Sequence, residues 1–261
     1  MHESSTKNYA TFHDLEGTSV FITGGGSGIG ASLTDGFMAQ GANVSFVQRS
    51  DAGEFVLQMQ EKHGRSPNYI QCDVTDVTAL QQALDQVQEA SGPITILVNN
   101  AANDNRHTLS GMSSDEWDAA LNVNLRPHFI TTQKVAPAMK AAGGGSIINF
   151  SSIAYMIGHD GFPAYMASKA AITGLTRGLA RELGPDNIRV NALMPGWVLT
   201  QRQMQLWATD EALAAHLDRQ CLKQHLYGED IVGGVLFLAS NTSRMMTGQA
   251  LVIDGGVAVT G

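Results

Sequence analysis

Thr23-Gly24-Gly25-Gly26-Ser27-Gly28-Ile29-Gly30 decides the fold. The stretch follows a short β-rich run, 18–23 (TSVFIT), and opens a helix-period segment, 28–40. Glycines in such a place let the chain turn tightly, let a pyrophosphate come close to the backbone and let the helix pack near the strand. The helix N-terminus adds N–H donors and the positive end of a dipole. The reading is a phosphate-binding turn between the first strand and the first helix.

Outward from that turn the pattern repeats. Further β-rich runs lie at 43–48, 68–72, 94–99, 146–151, 188–193 and 249–253. Helix-period segments lie between them, among them 76–90, 114–142, 164–183 and 229–239. The runs are continuously apolar more than alternating, as in a parallel sheet covered on both faces. Alternating strands and helices predict an α/β fold: one doubly wound parallel sheet of about seven strands with helices on both faces. Neither a composition break nor a repeat divides the chain, so a single domain over 16–261 is expected, after a loose arm over 1–15. The least regular segment, 197–227, reads as a cover over a ligand site.

Composition excludes several function classes. The 261 residues carry a formal charge of −8 and no basic run, which argues against sequence-independent binding of nucleic acid. No apolar run approaches the roughly 20 residues that span a bilayer, and the polar N-terminus is no signal peptide. Two cysteines far apart, Cys72 and Cys221, suit a reducing, cytoplasmic setting. The eight histidines lack paired zinc-ligand spacing, so no catalytic metal is expected.

The ends of the next strands should complete a dinucleotide site. Gln48 stands where an acidic side chain would hold the adenine ribose, and Arg49 beside it suits a 2′-phosphate, which favours NADP over NAD. Asp73, followed by Val74, would reach the adenine amino group. Asn100 and Ala101, within Asn99-Asn100-Ala101-Ala102, would line the ribose side. Pro195, Gly196, Val198 and Thr200, within PGWVLT, would close the site and fix the nicotinamide amide.

Tyr165 and Lys169 lie four apart at the start of a periodic helix, on one face. A phenol titrates near pH 10, and an ammonium beside it lowers that value, so the pair predicts a general base for an alcohol proton. The spacing alone is common. It gains weight from Ser152, thirteen residues upstream after a strand, where a hydroxyl would hold the substrate oxygen. Asn124, forty-one residues upstream in the segment 114–142, is an amide in mid-helix that invites a functional account.

Together these residues resemble the short-chain dehydrogenase/reductase family: TGGGSGIG, NNAA, the Asn124–Ser152–Tyr165–Lys169 set, PGWVLT and Ile253-Asp254-Gly255-Gly256. The resemblance covers about residue 16 to the end. It implies a Rossmann-type fold, a homotetramer, a water held by Asn124 in a proton relay through Lys169, and a second role for Lys169 on the nicotinamide ribose. Ala102 departs from the family's usual Gly, and Gln48 from the acidic residue of NAD-preferring members. A narrower resemblance, to bacterial 1-dehydrogenases of D-xylose and D-galactose, rests on Asn103-Asp104-Asn105-Arg106-His107, Asn122-Val123-Asn124-Leu125-Arg126, Thr200-Gln201-Arg202-Gln203 and Gln220-Cys221-Leu222. Trp197, residues 153–160 and the C-terminal VAVTG differ from those relatives. The implied activity is NAD(P)-dependent oxidation of an aldose at its anomeric carbon to the lactone; the alternative is a 3-oxoacyl thioester reductase or another carbonyl reductase of the family. Ring hydroxyls would be read by Asn103, Ser152, His159, Trp197 and Gln203, whereas Asp104, Arg106 and His107 read better as braces within their loop.

Overall fold

The apolar runs become strands because helices cover both their faces. β1 (Ser19–Thr23) is buried along its whole length, β4 (Ile96–Asn99) likewise, and β2 (Asn43–Gln48), β5 (Gly145–Phe150) and β6 (Ile188–Pro195) nearly so. β3 (Asn68–Gln71) and β7 (Ala250–Ile253), half exposed, form the two edges. The computed structural model describes residues 9–259. All seven strands run parallel in one sheet, in the order β3-β2-β1-β4-β5-β6-β7. The order reverses between β1 and β4, and in such sheets the ligand crevice opens there, at the carboxyl ends of the strands.

One apolar cluster covers one face of the sheet, built from α1 (Gly28–Ala39) and α9 (Gly228–Ala239), with Phe37, Val232 and Leu236 fully buried. A second covers the other face under α3 (Val77–Ser91), where Leu80, Leu84 and Val87 are buried. α2 (Gly53–His63) crosses from β2 to β3. No helix of the described residues is long and apolar enough to cross a membrane.

Three expectations need correction. The segment 114–142 is two helices, α4 (Ser114–Asn124) and α5 (Arg126–Ala141), broken at Leu125 (φ −122°, ψ −52°). Pro127 lacks the N–H that would continue the ladder, and the His128 N–H, which an unbroken helix would direct to Asn124, donates to the Leu125 carbonyl at 3.1 Å. Asn124 is therefore the last residue of a helix, not a mid-helix amide. Residues 9–15, expected within a loose arm over 1–15, are held in place. Leu15 is 1% exposed, and Tyr9 and Phe12, three residues apart, pack on the first cluster. The Phe12 N–H donates to Gln40 Oε1 (2.8 Å), and the Asn241 N–H to the Asp14 carboxylate (2.6 Å). Residues 1–8 lie outside the described residues. Finally, 197–227 is less irregular than expected: it holds α7 (Gln201–Leu206) and α8 (Asp210–Arg219), each N-capped by a threonine hydroxyl, Thr200 and Thr209.

Candidate active site

The glycine loop joins β1 to α1. Gly24 (φ +72°) and Gly28 (φ +53°) adopt the left-handed conformation that side chains resist. At Gly30 a Cβ would stand 1.9 Å from the Gly24 carbonyl oxygen. The loop's shape is set from the neighbouring strands. The Asn100 amide donates to the carbonyls of Thr23 (3.0 Å) and Gly24 (3.2 Å), and Thr23 Oγ1 accepts from the N–H groups of Asn100 and Ala101. The Gly26 N–H donates to Gln48 Oε1 at 3.0 Å. Asn100 Nδ2 and Gln48 Oε1, expected at the cofactor, thus bond the loop itself, while Gln48 Nε2 donates to Ser50 Oγ at 3.1 Å. Ser27 caps α1 without a side-chain hydrogen bond, which leaves the first-turn N–H groups of α1 without a side-chain cap among the described residues. A turn with Gly24, Gly25, Gly26, Gly28 and Gly30, ending in such donors, fits a pyrophosphate.

Further along the strand ends, Arg49 is 82% exposed in its side chain and 3.8 Å from Asp73. Burial alone would raise the Asp73 carboxyl. Two hydrogen bonds from Thr75 (2.9 and 2.7 Å) and the Arg49 charge outweigh it and hold it below the usual carboxylate range. Val74 is buried beside it.

Tyr165 is the third residue of α6 (Pro163–Leu183), and Pro163 at the first position starts the helix. Ser152 follows the end of β5. The Ser152 side chain favours the charged form of the Tyr165 phenol, and both residues line one cavity. Ser152 Oγ accepts from the Ala154 N–H at 3.1 Å. Lys169, 1% exposed, donates from Nζ to the Phe150 carbonyl at 2.7 Å and stands 5.3 Å from the Tyr165 ring centroid. The structure therefore brings Ser152, Tyr165 and Lys169 together. The electrostatics run against the expected direction. Burial comes first at both groups: it pushes the Tyr165 phenol well above its ordinary value and Lys169 down to about 7. Asp104 adds to the rise at Tyr165, opposed by Ser152 and Arg106.

Asn124 meets the site through its backbone neighbourhood. Its Oδ1 accepts from the Asn103 N–H (2.8 Å) and its Nδ2 donates to the Asn103 carbonyl (3.0 Å). Both ends of the amide are engaged, so the side chain locks the loop after β4 onto α4. Asn103 in turn walls a second cavity of about 340 Å³ and not the main one.

The main cavity, about 490 Å³, opens at the strand ends. Pro195, Gly196, Val198 and Thr200 line it together with Ser152 and Tyr165. Thr200 Oγ1, expected at the nicotinamide amide, accepts from the Gln203 N–H (3.3 Å) as a helix cap. His159 lines the cavity with its Nδ1 2.9 Å from the Asp160 carbonyl. Trp197 and Gln203 also line it, joined by an indole N–H to Oε1 bond of 2.8 Å. Gln203 Nε2 donates to Asp104 Oδ2 (2.5 Å), and Arg202 reaches Asp104 (3.4 Å) and Asn105 (2.6 Å). Gln203, expected to read substrate, has both ends of its amide engaged. Asp104 and Arg106, read as braces, line the cavity, as do Trp207 and His216, which the sequence reading did not single out. His107 does brace, since its Nε2 accepts from the Ala164 N–H at 3.2 Å. Nothing in the spacing of 207 and 216 marks them; a tertiary fold of α7 and α8 over the strand ends brings them in.

Behind the site, burial first and then Lys169 push the His128 imidazole down to about 3 from 6.5. The unfolded chain binds a proton below pH 6.5 that the folded protein refuses until about 3, so stability is lost as pH falls through that window. His128→Leu should flatten the loss between pH 6.5 and 4, read by urea denaturation; an unchanged slope would assign the acid sensitivity elsewhere.

The chain matches, over residues 24–258, the family described as Enoyl-(Acyl carrier protein) reductase. It is 48% identical to a probable galactose dehydrogenase of Rhizobium meliloti, over 94% of this chain and 97% of that protein. It is 44% identical to a D-xylose 1-dehydrogenase of Caulobacter vibrioides, over 95% and 98%. Among solved structures it is similar to a blue fluorescent protein from a metagenomic library in complex with NADPH, with a TM-score of 0.86, 34% identity, and coverage of 94% of this chain and all of that one.

Proposed function

The chain belongs to the short-chain dehydrogenase/reductase family and is an NAD(P)-dependent oxidoreductase, and we propose that it oxidises a pentose or hexose at the anomeric carbon to the lactone. The observation that carries this reading is that Ser152 and Tyr165 share one cavity wall with the polar side chains Asp104 and Arg106. An oxidisable carbinol set against Tyr165 would then have its remaining hydroxyls among hydrogen-bonding groups. The sugar dehydrogenases named among its relatives support the same substrate class.

The glycine loop, Arg49, Asp73, Val74, Ala101 and the Pro195–Thr200 stretch would hold the dinucleotide, with Gln48 and Asn100 shaping the loop. The bound nicotinamide supplies the acceptor for the hydride that leaves C1. Ser152 holds the C1 oxygen, and Tyr165 takes its proton. Lys169, titrating near 7, passes that proton onward and in its charged form stabilises the phenolate. The break at Leu125 leaves the Asn124 carbonyl outside the helix ladder, where a relay water would be held. Residues 197–227 cover the substrate. The family resemblance implies a homotetramer, which light scattering checks.

NADP is favoured over NAD because the exposed Arg49 guanidinium, held only by a 3.8 Å pair to Asp73, is available to a 2′-phosphate. Arg49→Ala should lower kcat/KM with NADP by about 10- to 100-fold, the range for a charged hydrogen bond, and leave the NAD value unchanged. Equal changes with both cofactors would take cofactor choice away from Arg49.

The activity itself is tested with a panel of aldoses and both cofactors, read at 340 nm. Reduced cofactor should accumulate with at least one pentose or hexose. Consumption of NADPH with acetoacetyl thioesters and no sugar turnover would give the carbonyl reductase reading instead.

A further inference from the structure

Two residues that line the main cavity each hold an N–H closed to solvent and without an acceptor among the described residues. Arg106 Nε and Trp207 Nε1 are both buried and unpaired, and both residues line the cavity. They come from different parts of the chain, the loop after β4 and the turn between α7 and α8. The Arg106 guanidinium is 4.0 Å from the Phe162 ring centroid and 5.1 Å from that of Trp207. Contact with two aromatic rings restrains the guanidinium, as in cation–π contacts generally. Neither group can accept a hydrogen bond, and an unmet buried donor is costly, so turning these side chains toward a ligand oxygen in the adjoining cavity would relieve them.

Asp104 supplies the opposite capacity in the same cavity. Its carboxylate accepts from Gln203 and Arg202, which fix its position, and has lone pairs left for a hydroxyl proton. Gln203 and Trp197 have spent their groups on each other and on Asp104. Two donors and an acceptor along one cavity wall match adjacent hydroxyls of a sugar ring, each of which donates once and accepts. The carbonyl of a thioester, which only accepts, leaves Asp104 without a proton to receive.

We infer that Arg106, Trp207 and Asp104 form the subsite that reads the ring hydroxyls away from the reacting carbon, and so determine which aldose is taken. This rests on the aldose reading above. Trp197 and Gln203 are positioning residues for Asp104.

The test is a series of monodeoxy derivatives of the preferred aldose, compared in kcat/KM with wild type, Trp207→Phe and Arg106→Lys. Trp207→Phe keeps a ring for Arg106 and deletes only the N–H. Arg106→Lys keeps the charge and deletes the Nε donor. Wild type should reject at least one deoxy position by about tenfold or more, the scale for a polar group left without its partner. Trp207→Phe should lose about tenfold on the parent sugar, chiefly in KM, and oxidise that deoxy sugar as well as wild type does. Arg106→Lys should erase discrimination at a different hydroxyl. A uniform loss on all sugars, or unchanged discrimination in a folded variant, overturns the subsite. So does a wild type that oxidises every deoxy sugar as well as the parent, a result that needs no variant to fold. Wild type inert to every aldose overturns the aldose reading itself and this subsite with it.

Discussion

Tyr165→Phe leaves a folded protein that binds the dinucleotide and turns over its substrate about 10²- to 10⁴-fold more slowly, the contribution of a positioned general base. Phenylalanine keeps what the ring does structurally: its packing on Phe162 at 5.1 Å and its place 5.3 Å from Lys169 Nζ. The hydroxyl alone is lost, and with it the atom proposed to take the proton. Because burial lowers Lys169 to about 7, the wild-type rate should climb with pH across the region around 7 where Lys169 passes the proton onward. The residual rate of the variant should lack that climb. Steady-state kinetics over pH 6–9, with cofactor binding followed by fluorescence, give both readouts. Full activity in the variant would remove Tyr165 from the chemistry.

Gly30→Ala costs the loop its shape. The added Cβ would meet the Gly24 carbonyl oxygen at 1.9 Å and Asn100 Nδ2 at 2.8 Å. Neither yields easily, since the Asn100 amide is bonded to that carbonyl and to Thr23. Overpacking of this kind costs about 1–3 kcal/mol. At roughly 2–4 °C per kcal/mol for a chain of this size, Tm should fall by several degrees. Dinucleotide affinity should fall at least tenfold, since displacing Gly24 displaces the donors around it. Gly174→Ala, in the exposed middle of α6 with nothing within 4 Å of its Cβ, is the control and should be neutral or stabilising by about 0.5–1 kcal/mol. Equal melting temperatures and affinities for the two variants would contradict the account of the loop.

What was legible in the sequence follows from local rules. Continuous apolar runs marked the strands because a doubly covered parallel sheet leaves them no polar face. The glycine loop could be read because Gly24, Gly28 and Gly30 answer to backbone geometry that no other residue meets. Less was legible where tertiary structure decides. The apolar period runs unbroken through 114–142, yet Pro127 divides it. Gln48 and Asn100 stand at cofactor positions, yet their amides close the loop. Tyr165 shifts opposite to the expected direction, because spacing shows the neighbouring charge but not the burial that outweighs it. Trp207 and His216 join Asp104 and Arg106 only when α7 and α8 fold over the strand ends, a meeting across about a hundred residues that no local pattern announces.

The central claim is oxidation at the anomeric carbon. An aldose deuterated at C1, incubated with the protein and oxidised cofactor, tests it most directly by mass spectrometry of both products. Deuterium in the reduced nicotinamide, a lactone without it and a slowed rate are the predicted result. Deuterium retained in an oxidised sugar would place the reaction at another carbon and contradict the claim.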